Sequence, residues 1–348
     1  MTVNVTELQF QAQAAESAPA LAIEGRSQWQ LTWRRLRHDK MAVASIVVIL
    51  LMALLAIFSP VVAALLHHPV DVAYPTSGLS AAGLPVSPST HGFPLGTDNI
   101  GRDLLIRILY GARVSLFVGI STTVIATVAG VTIGLVAGYF GGWIDTLLAR
   151  FIDGVLAFPV IVLAIALAAR FGPSLLGIIA IIAFFSWAAI SRIVRGQTLS
   201  LKEKEYIEAA RSLGAGPWRI MFLDILPNLL GPVLVLSTLA IPGAIVFEAT
   251  LSYLGVGIQE PNPSWGNILS EAQSTYQVAW WYVVFPALAL LITTLAFNLL
   301  GDGIRDAMDP RTERIFAAGG KAAKKRRRAA AAAAAKPGPA TPSATEGN

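Results

Sequence analysis

Glu203–Pro227 reads EKEYIEAARSLGAGPWRIMFLDILP. Strongly apolar blocks of about 20 residues flank it, the length that spans ~30 Å of hydrocarbon. That setting makes it a loop between membrane spans. Within it, Lys204–Leu213 predicts a helix of about two to three turns, because Glu208, Ala209 and Ala210 are good helix formers. Ala209 and Leu213 share a face with Tyr206. Gly214 and Gly216 stop the helix, and Pro217 reinforces the turn. Two readings stay open from composition: a helix that docks in a groove of another protein, or an ordinary interfacial helix.

The chain has 348 residues, of which 55% are hydrophobic and 14% charged. Soluble domains carry roughly 25% charge. Mean hydropathy is +0.63. There is no cysteine, which excludes disulfides, thiolate catalysis and thiolate metal sites. The formal charge of +5 leans on KAAKKRRR at Lys321–Arg328. Beside a membrane this reads as an anchor on anionic lipid, with no nucleic-acid partner.

Working outward, residues 1–28 read as a disordered cytoplasmic tail rather than a signal peptide. Residues 29–66 hold a basic interfacial segment, Trp29–Lys40, and the first span, Met41–Leu66. Residues 67–113 read as an extracytoplasmic loop. It ends in an amphipathic helix, Gly101–Tyr110, capped by Asp98 or Asn99, with Arg102, Arg107 and Arg113 at the interface. Residues 114–303 form the core, which contains the loop 203–227. Its spans are Val114–Tyr139, Thr146–Ala168, Ser174–Ile190, Leu229–Tyr253 and Val278–Leu300. Residues 304–348 form a cytoplasmic tail.

Details of the core carry further expectations. Gly130, Gly134 and Gly138 recur every four residues, the spacing that lets helix backbones approach closely. Arg150 and Asp153 are i,i+3 neighbours and a candidate ion pair. Bends are expected at Pro159, Pro232, Pro242 and Gly243. Glu248 is ionisable at membrane depth, where such residues either pack in hydrogen bonds or line a pathway. Gly255–Gln277 reads as a loop that dips back as a short helix or scoop.

Six spans place both ends on one side. Arg26–Lys40 holds five basic residues, and Arg192–Arg219 holds six against three acids. Leu66–Ile100 and Gly255–Gln277 contain no Lys or Arg. The positive-inside rule therefore puts both termini and the loop 203–227 in the cytoplasm.

Catalytic constellations are weak. The four histidines are His38, His67, His68 and His91, and no spacing supplies a third metal ligand to His67-His68. No GxxxxGK[ST] loop is present, so the chain is not expected to bind ATP itself. A secondary transporter or channel would need buried charged relays, and Glu248 is the one good candidate.

Glu208-Ala209-Ala210, three residues, Gly214, then Leu226-Pro227 resembles the EAA loop of ABC importer permeases. Asp224 stands where that pattern often has Ile. Pro94–Gly119, Phe247–Leu269 and Gly301–Arg311 resemble the C-type subunit of the dipeptide/oligopeptide/nickel branch. The resemblance implies an all-α polytopic membrane protein with six transmembrane helices, the type I ABC importer permease fold, in a bacterial cytoplasmic membrane. It implies a transport subunit that is not an enzyme. Its partners would be a second homologous permease, two cytoplasmic ATPase subunits carrying ATP and Mg2+, and an extracytoplasmic substrate-binding protein. The solute would be a dipeptide or oligopeptide, with nickel or another solute as the alternative. ATPase coupling would fall to Tyr206, Glu208, Ala209, Ala210, Arg211 and Leu213. Gly214 would shape the turn, and Leu226-Pro227 would redirect the chain into the fifth span. Pathway or gate candidates are Pro159, Pro242, Gly243 and Glu248. No metal site and no cofactor is expected in this chain.

Overall fold

The computed structural model describes residues 28–308 except Pro173. The N-terminal tail, the Lys321–Arg328 cluster and the end of the Gly301–Arg311 block lie outside the described residues.

Among these residues the architecture is all-α. α1 (Gln28–His38) leads into α2 (Lys40–Ile57) and α3 (Ser59–Leu66). A long loop follows, with isolated bridges such as Thr97 to Asp103. Then come α4 (Leu104–Phe140), α5 (Gly142–Ala157), α6 (Val160–Phe171), α7 (Leu175–Lys202) and α8 (Glu205–Ser212). A helical turn (Pro217–Arg219) and a π-helical stretch (Ile220–Ile225) enter α9 (Leu226–Tyr253). α10 (Trp265–Glu271) and α11 (Trp280–Met308) complete the fold. Five helices are long and apolar enough to cross a membrane, or six if the bent pair α5–α6 counts as one span.

Several expected boundaries move. The first span is broken at Phe58, because Pro60 has no N–H to continue the helix. The Ala56 carbonyl that Pro60 leaves free accepts from Ser59 Oγ at 2.8 Å instead. The amphipathic helix and the second span are one 37-residue helix, α4, so the division at residue 113 falls inside it. Its cap is Asp103, not Asp98 or Asn99; Asp103 accepts from the Leu105 and Ile106 amides. The third span is more than bent: α5 and α6 meet at 84°. Phe158, held extended before Pro159 (φ −77, ψ 144), ends α5 there. Pro232 and Pro242, by contrast, lie inside α9 without ending it.

Two packing centres organise the bundle. In one, α4 and α7 run side by side through Gly130, Gly134 and Gly138. A side chain at Gly134 would sit 2.6 Å from the Ser191 carbonyl, and one at Gly138 would sit 2.9 Å from that of Arg195. Fully buried Ile178, Ala188 and Val194 of α7 pack here with Leu135. The second centre joins the start of α4 to α10 and α11 through Leu104, Trp265, Ile268 and Tyr282. Because the lipid side of each span has no hydrophobic driving force, such close backbone approach is what holds the helices together.

Candidate functional site

The loop 203–227 hangs from the end of α7. Lys204 N-caps α8 with extended backbone (φ −82, ψ 143). Ile207 is the anchor: it is fully buried and packs in the same cluster as Ile220, Met221 and Ile225. The outward face stays open. Tyr206 is 44% exposed and Leu213 88%, and Glu208, Ala209 and Arg211 are exposed as well. Ala210 is half-buried and packs against the core side. The Arg211 guanidinium lies 5.6 Å from the centre of the Tyr139 ring, which ties α8 to the last turn of α4.

The exit from α8 needs glycine. Gly214 has φ +82, a left-handed conformation that costs other residues roughly 1–2 kcal/mol. Its N–H donates to the Arg211 carbonyl at 2.9 Å, and the Ala215 N–H donates to that of Ala210 at 3.0 Å. From Pro217 onward the chain is one continuous rod to Tyr253. Pro227 therefore lies ten residues inside this rod, just after the π-helical stretch, and does not start it. The chain redirects ten residues earlier than the Leu226-Pro227 pattern implied, at Gly214–Pro217. Asp224 belongs to the π-helical stretch. Its carbonyl accepts from Asn228 Nδ2 at 2.7 Å, and its buried Oδ2 has no hydrogen-bond partner among the described residues.

The residue pattern did not single out Trp218 and Leu223. They are 63% and 66% exposed, and Trp218 stacks on Phe222 with ring centres 6.0 Å apart. With Tyr206 and Leu213 they make a stretch of sequence rich in exposed large apolar side chains.

The four pathway candidates do not form one site. Pro159 is exposed at the α5–α6 break. Pro242 is buried in α9. Gly243 is exposed, with no atom within 4 Å of where a side chain would start. Glu248 is completely buried. Ser115 Oγ of α4 donates to its Oε2 at 2.9 Å, and Ser252 Oγ to its Oε1 at 2.8 Å. Each serine in turn accepts a backbone N–H, Trp265 at 3.4 Å and Ile258 at 3.0 Å. Glu248 thus stitches α4, α9 and the dipping segment together, and the hydrogen-bonding reading of this residue has its partners.

The expected scoop is present as α10, with a capping box of Ser264 and Asn267. Gly266 lets it lie on α9, where a side chain would come 2.6 Å from Ala249 Cα. Arg102 and Arg107, expected at the interface, are instead nearly buried and hold this end closed. Asp98 Oδ2 accepts from Arg102 Nε at 2.5 Å and Arg107 Nη1 at 2.7 Å. Arg102 Nη1 reaches Glu260 at 2.6 Å. Arg107 grips both oxygens of Glu271, to which the Tyr282 hydroxyl also donates at 2.7 Å. Burial pushes the Glu271 carboxyl up, but the Arg107 hydrogen bond and charge, helped by Tyr282 and Arg102, hold it below the ordinary carboxylate range. His68 bonds Asp103 at 2.6 Å and stacks on Phe93 rather than joining a metal cluster. Among the described residues no group of three or more His, Asp or Glu could hold a metal ion. The expected Arg150–Asp153 pair is replaced by Arg192–Asp153 at 2.6 Å.

Comparison with known proteins agrees with this architecture. Residues 130–314 match the family model described as binding-protein-dependent transport system inner membrane component. Residues 27–78 match the N-terminal TM domain of oligopeptide transport permease C. The chain is 41% identical to a dipeptide transport system permease protein of Alkalihalophilus pseudofirmus, over 82% of this chain and 90% of that one. It is 43% identical to an oligopeptide transport system permease protein of Escherichia coli K12, over 84% and 94%. It is 41% identical to a glutathione transport system permease protein of Pectobacterium atrosepticum, over 82% and 92%. The chain therefore belongs to the family of binding-protein-dependent transport system inner membrane components, in the branch that carries the permease C N-terminal domain.

Proposed function

We propose that the chain is one of two permease subunits of an ATP-driven importer of dipeptides or oligopeptides. It works with a second homologous permease, two cytoplasmic ATPase subunits that supply ATP and Mg2+, and an extracytoplasmic substrate-binding protein. Family membership supports the heteromeric complex, and the peptide names of the three relatives support the solute class.

The single observation that carries the coupling role is the open face of α8. Ile207 anchors this helix to the bundle, while Tyr206 and Leu213 point away with nothing on them. Large apolar side chains on a short, firmly seated helix suit a cleft in another protein. Closure of the ATPases on ATP would move α8, and through Ile207, Ile220 and Met221 would move α7 and α9. The pathway would then open alternately to each side, a two-state equilibrium biased by ATP and by the loaded binding protein. Tyr206, Glu208, Ala209, Ala210, Arg211 and Leu213 make the contact, and Gly214 and Pro227 shape the return. The basic residues of Arg26–Lys40 and Arg192–Arg219 support a topology with both ends in the cytoplasm of a bacterial inner membrane. In this reading residues 29–66 form a peripheral span, 67–103 an outer segment and 104–308 the moving core, because the divisions expected at 113 and 303 fall inside α4 and α11.

The test is uptake of a radiolabelled peptide by cells carrying or lacking this gene, with its partner subunits present. Loss of peptide uptake on deletion, restored by the plasmid-borne chain, is the expected result. Unchanged peptide uptake with loss of nickel uptake would overturn the solute assignment.

A further inference from the structure

α7 is the most enclosed span, and only past Ile190 does its open face have the wrong chemistry for lipid. Along the spans the exposed faces carry apolar side chains: Val47, Leu50 and Leu54 on α2, Phe117, Val124 and Val128 on α4, and Leu176 and Phe184 on α7 itself. On α7 the exposed positions past Ile190 are Arg192, Ile193, Gly196, Gln197 and Ser200, and these five line an open cleft of about 360 Å³. The register with α4 fixes their depth. Gly134 lies against Ser191 and Val194, and Gly138 against Arg195 and Thr198. α4 stays apolar to Phe140. The polar face therefore sits beside the last apolar turns of its neighbour, where polar side chains need water or protein around them.

These side chains are not used up within the chain. Of the Arg192 guanidinium, only Nη2 is engaged, donating to Asp153 Oδ1 at 2.6 Å. Both groups of that pair remain about half exposed, at 56% and 53%. The Gln197 amide and Ser200 hydroxyl make no side-chain hydrogen bond among the described residues. A side chain at Gly196 would meet no atom within 4 Å, and neither would one at Gly154, beside Asp153 on α5. A helix-interior glycine costs roughly 1 kcal/mol against alanine, so room has been kept on both sides of the ion pair.

We infer that this cleft on α7, beside the ion pair that links it to Asp153 of α5, is the part of the solute pathway nearest α8, and that Arg192 holds a carboxylate of the passing peptide there. The inference rests on the peptide-import reading above. The free guanidinium edge offers the paired donors that match a carboxylate. Asp153 neutralises Arg192 between passages, so the site is charge-balanced when empty. Gln197 and Ser200 continue the polar track toward the end of α7.

The chain has no cysteine, so single thiols report cleanly. In the assembled complex, Gln197→Cys and Ser200→Cys should react with a charged methanethiosulfonate reagent applied from the α8 side of inside-out vesicles. Leu50→Cys, on the apolar α2 face, should not. Arg192→Gln should lower trialanine uptake at least fivefold at normal complex assembly, and Arg192→Lys should keep more than half. The double variant Arg192→Gln with Asp153→Asn should remain impaired. Recovery in that double variant would make the pair merely structural and overturn the carboxylate role. Thiols at 197 and 200 as silent as the one at 50 would make the face a packing surface and overturn the pathway assignment. Failure of the unmodified complex to take up trialanine would instead refute the peptide reading, leaving the thiol result to stand by itself.

Discussion

Arg107 and Glu271, 164 residues apart, meet in a two-pronged ion pair: Nη1 to Oε2 at 2.5 Å and Nη2 to Oε1 at 2.9 Å. Arg107 is almost wholly buried, and Asp98 and Tyr282 complete its surroundings. The pair pins the start of α4 to α10. Breaking a buried pair costs about 3 kcal/mol or more where the remaining charge has no other partner; without Glu271, Arg107 keeps Asp98 and Glu260, which lessen that cost. Glu271→Gln is expected to lower the thermal midpoint of the detergent-solubilised protein clearly, and Arg102→Ala less so. Equal midpoints for Glu271→Gln and unmodified protein would show that Asp98 and Glu260 suffice.

The same pair sets a pH dependence. The Glu271 carboxyl is held below its ordinary value. A depressed carboxylate contributes stability above its unfolded pKa of about 4.3 and loses it as pH falls through the lower folded value. The difference in thermal midpoint between unmodified protein and Glu271→Gln should therefore be full at pH 6 and shrink below about pH 4.3. A difference that stays constant down to pH 3 would contradict the depressed value.

Glu208→Lys combined with Gly214→Pro should uncouple transport while the protein still inserts. Proline cannot adopt φ +82 and removes the N–H that bonds Arg211. Peptide uptake should fall at least tenfold, and recovery of the ATPase subunits in a pull-down should drop. Normal uptake with normal ATPase recovery would sink the coupling role of α8.

Glu248 separates two roles by substitution. If its work is to accept from Ser115 and Ser252, Glu248→Gln should keep most uptake, since one amide oxygen still accepts. Glu248→Ala should destabilise the protein by about 1–3 kcal/mol, because two buried hydroxyls lose their acceptor. Thermal midpoints and uptake for both variants give the answer. A Gln variant as inactive as Ala, with a normal midpoint, would favour a role for the charge itself.

Gly134→Leu should prevent stable folding. Even the first carbon of a side chain would sit 2.6 Å from the Ser191 carbonyl, a backbone atom that cannot step aside. Membrane yield and a monodisperse size-exclusion peak should both be lost, whereas Gly243→Leu, in open space, should keep them.

How much of this was legible differs by element. Long apolar runs, basic ends and four-residue glycine spacing are local signals; they carried the membrane reading, a count of six spans where the structure has five or six, and a close helix approach at Gly130–Gly138, but not that α7 is the partner. Proline positions were legible, but their consequences were not. Pro159 opens an 84° break, while Pro232 and Pro242 are carried inside α9. The difference lies in what packs around each residue, which no local pattern records. The α8 helix, its exposed Tyr206 and Leu213 and the glycine turn at Gly214 were readable from helix propensity and spacing. The burial of Ile207 and the openness of Trp218 and Leu223 were not, because they depend on which way α8 lies against the bundle.

The sequence by itself determined a polytopic helical membrane protein with a structured loop at Glu203–Pro227, since hydrocarbon thickness and backbone hydrogen bonding leave apolar 20-residue runs no other form. Only the tertiary structure decided where the charges end up. Arg102 and Arg107 read as interfacial because arginines beside a span usually are. In the folded chain, residues more than 150 positions away bring Glu260 and Glu271 onto them. Asp153 likewise turns from Arg150, its neighbour in sequence, to Arg192, its neighbour in space. A charge is paired by what the fold places within about 3 Å of it, and that distance is set by helix packing, not by spacing along the chain.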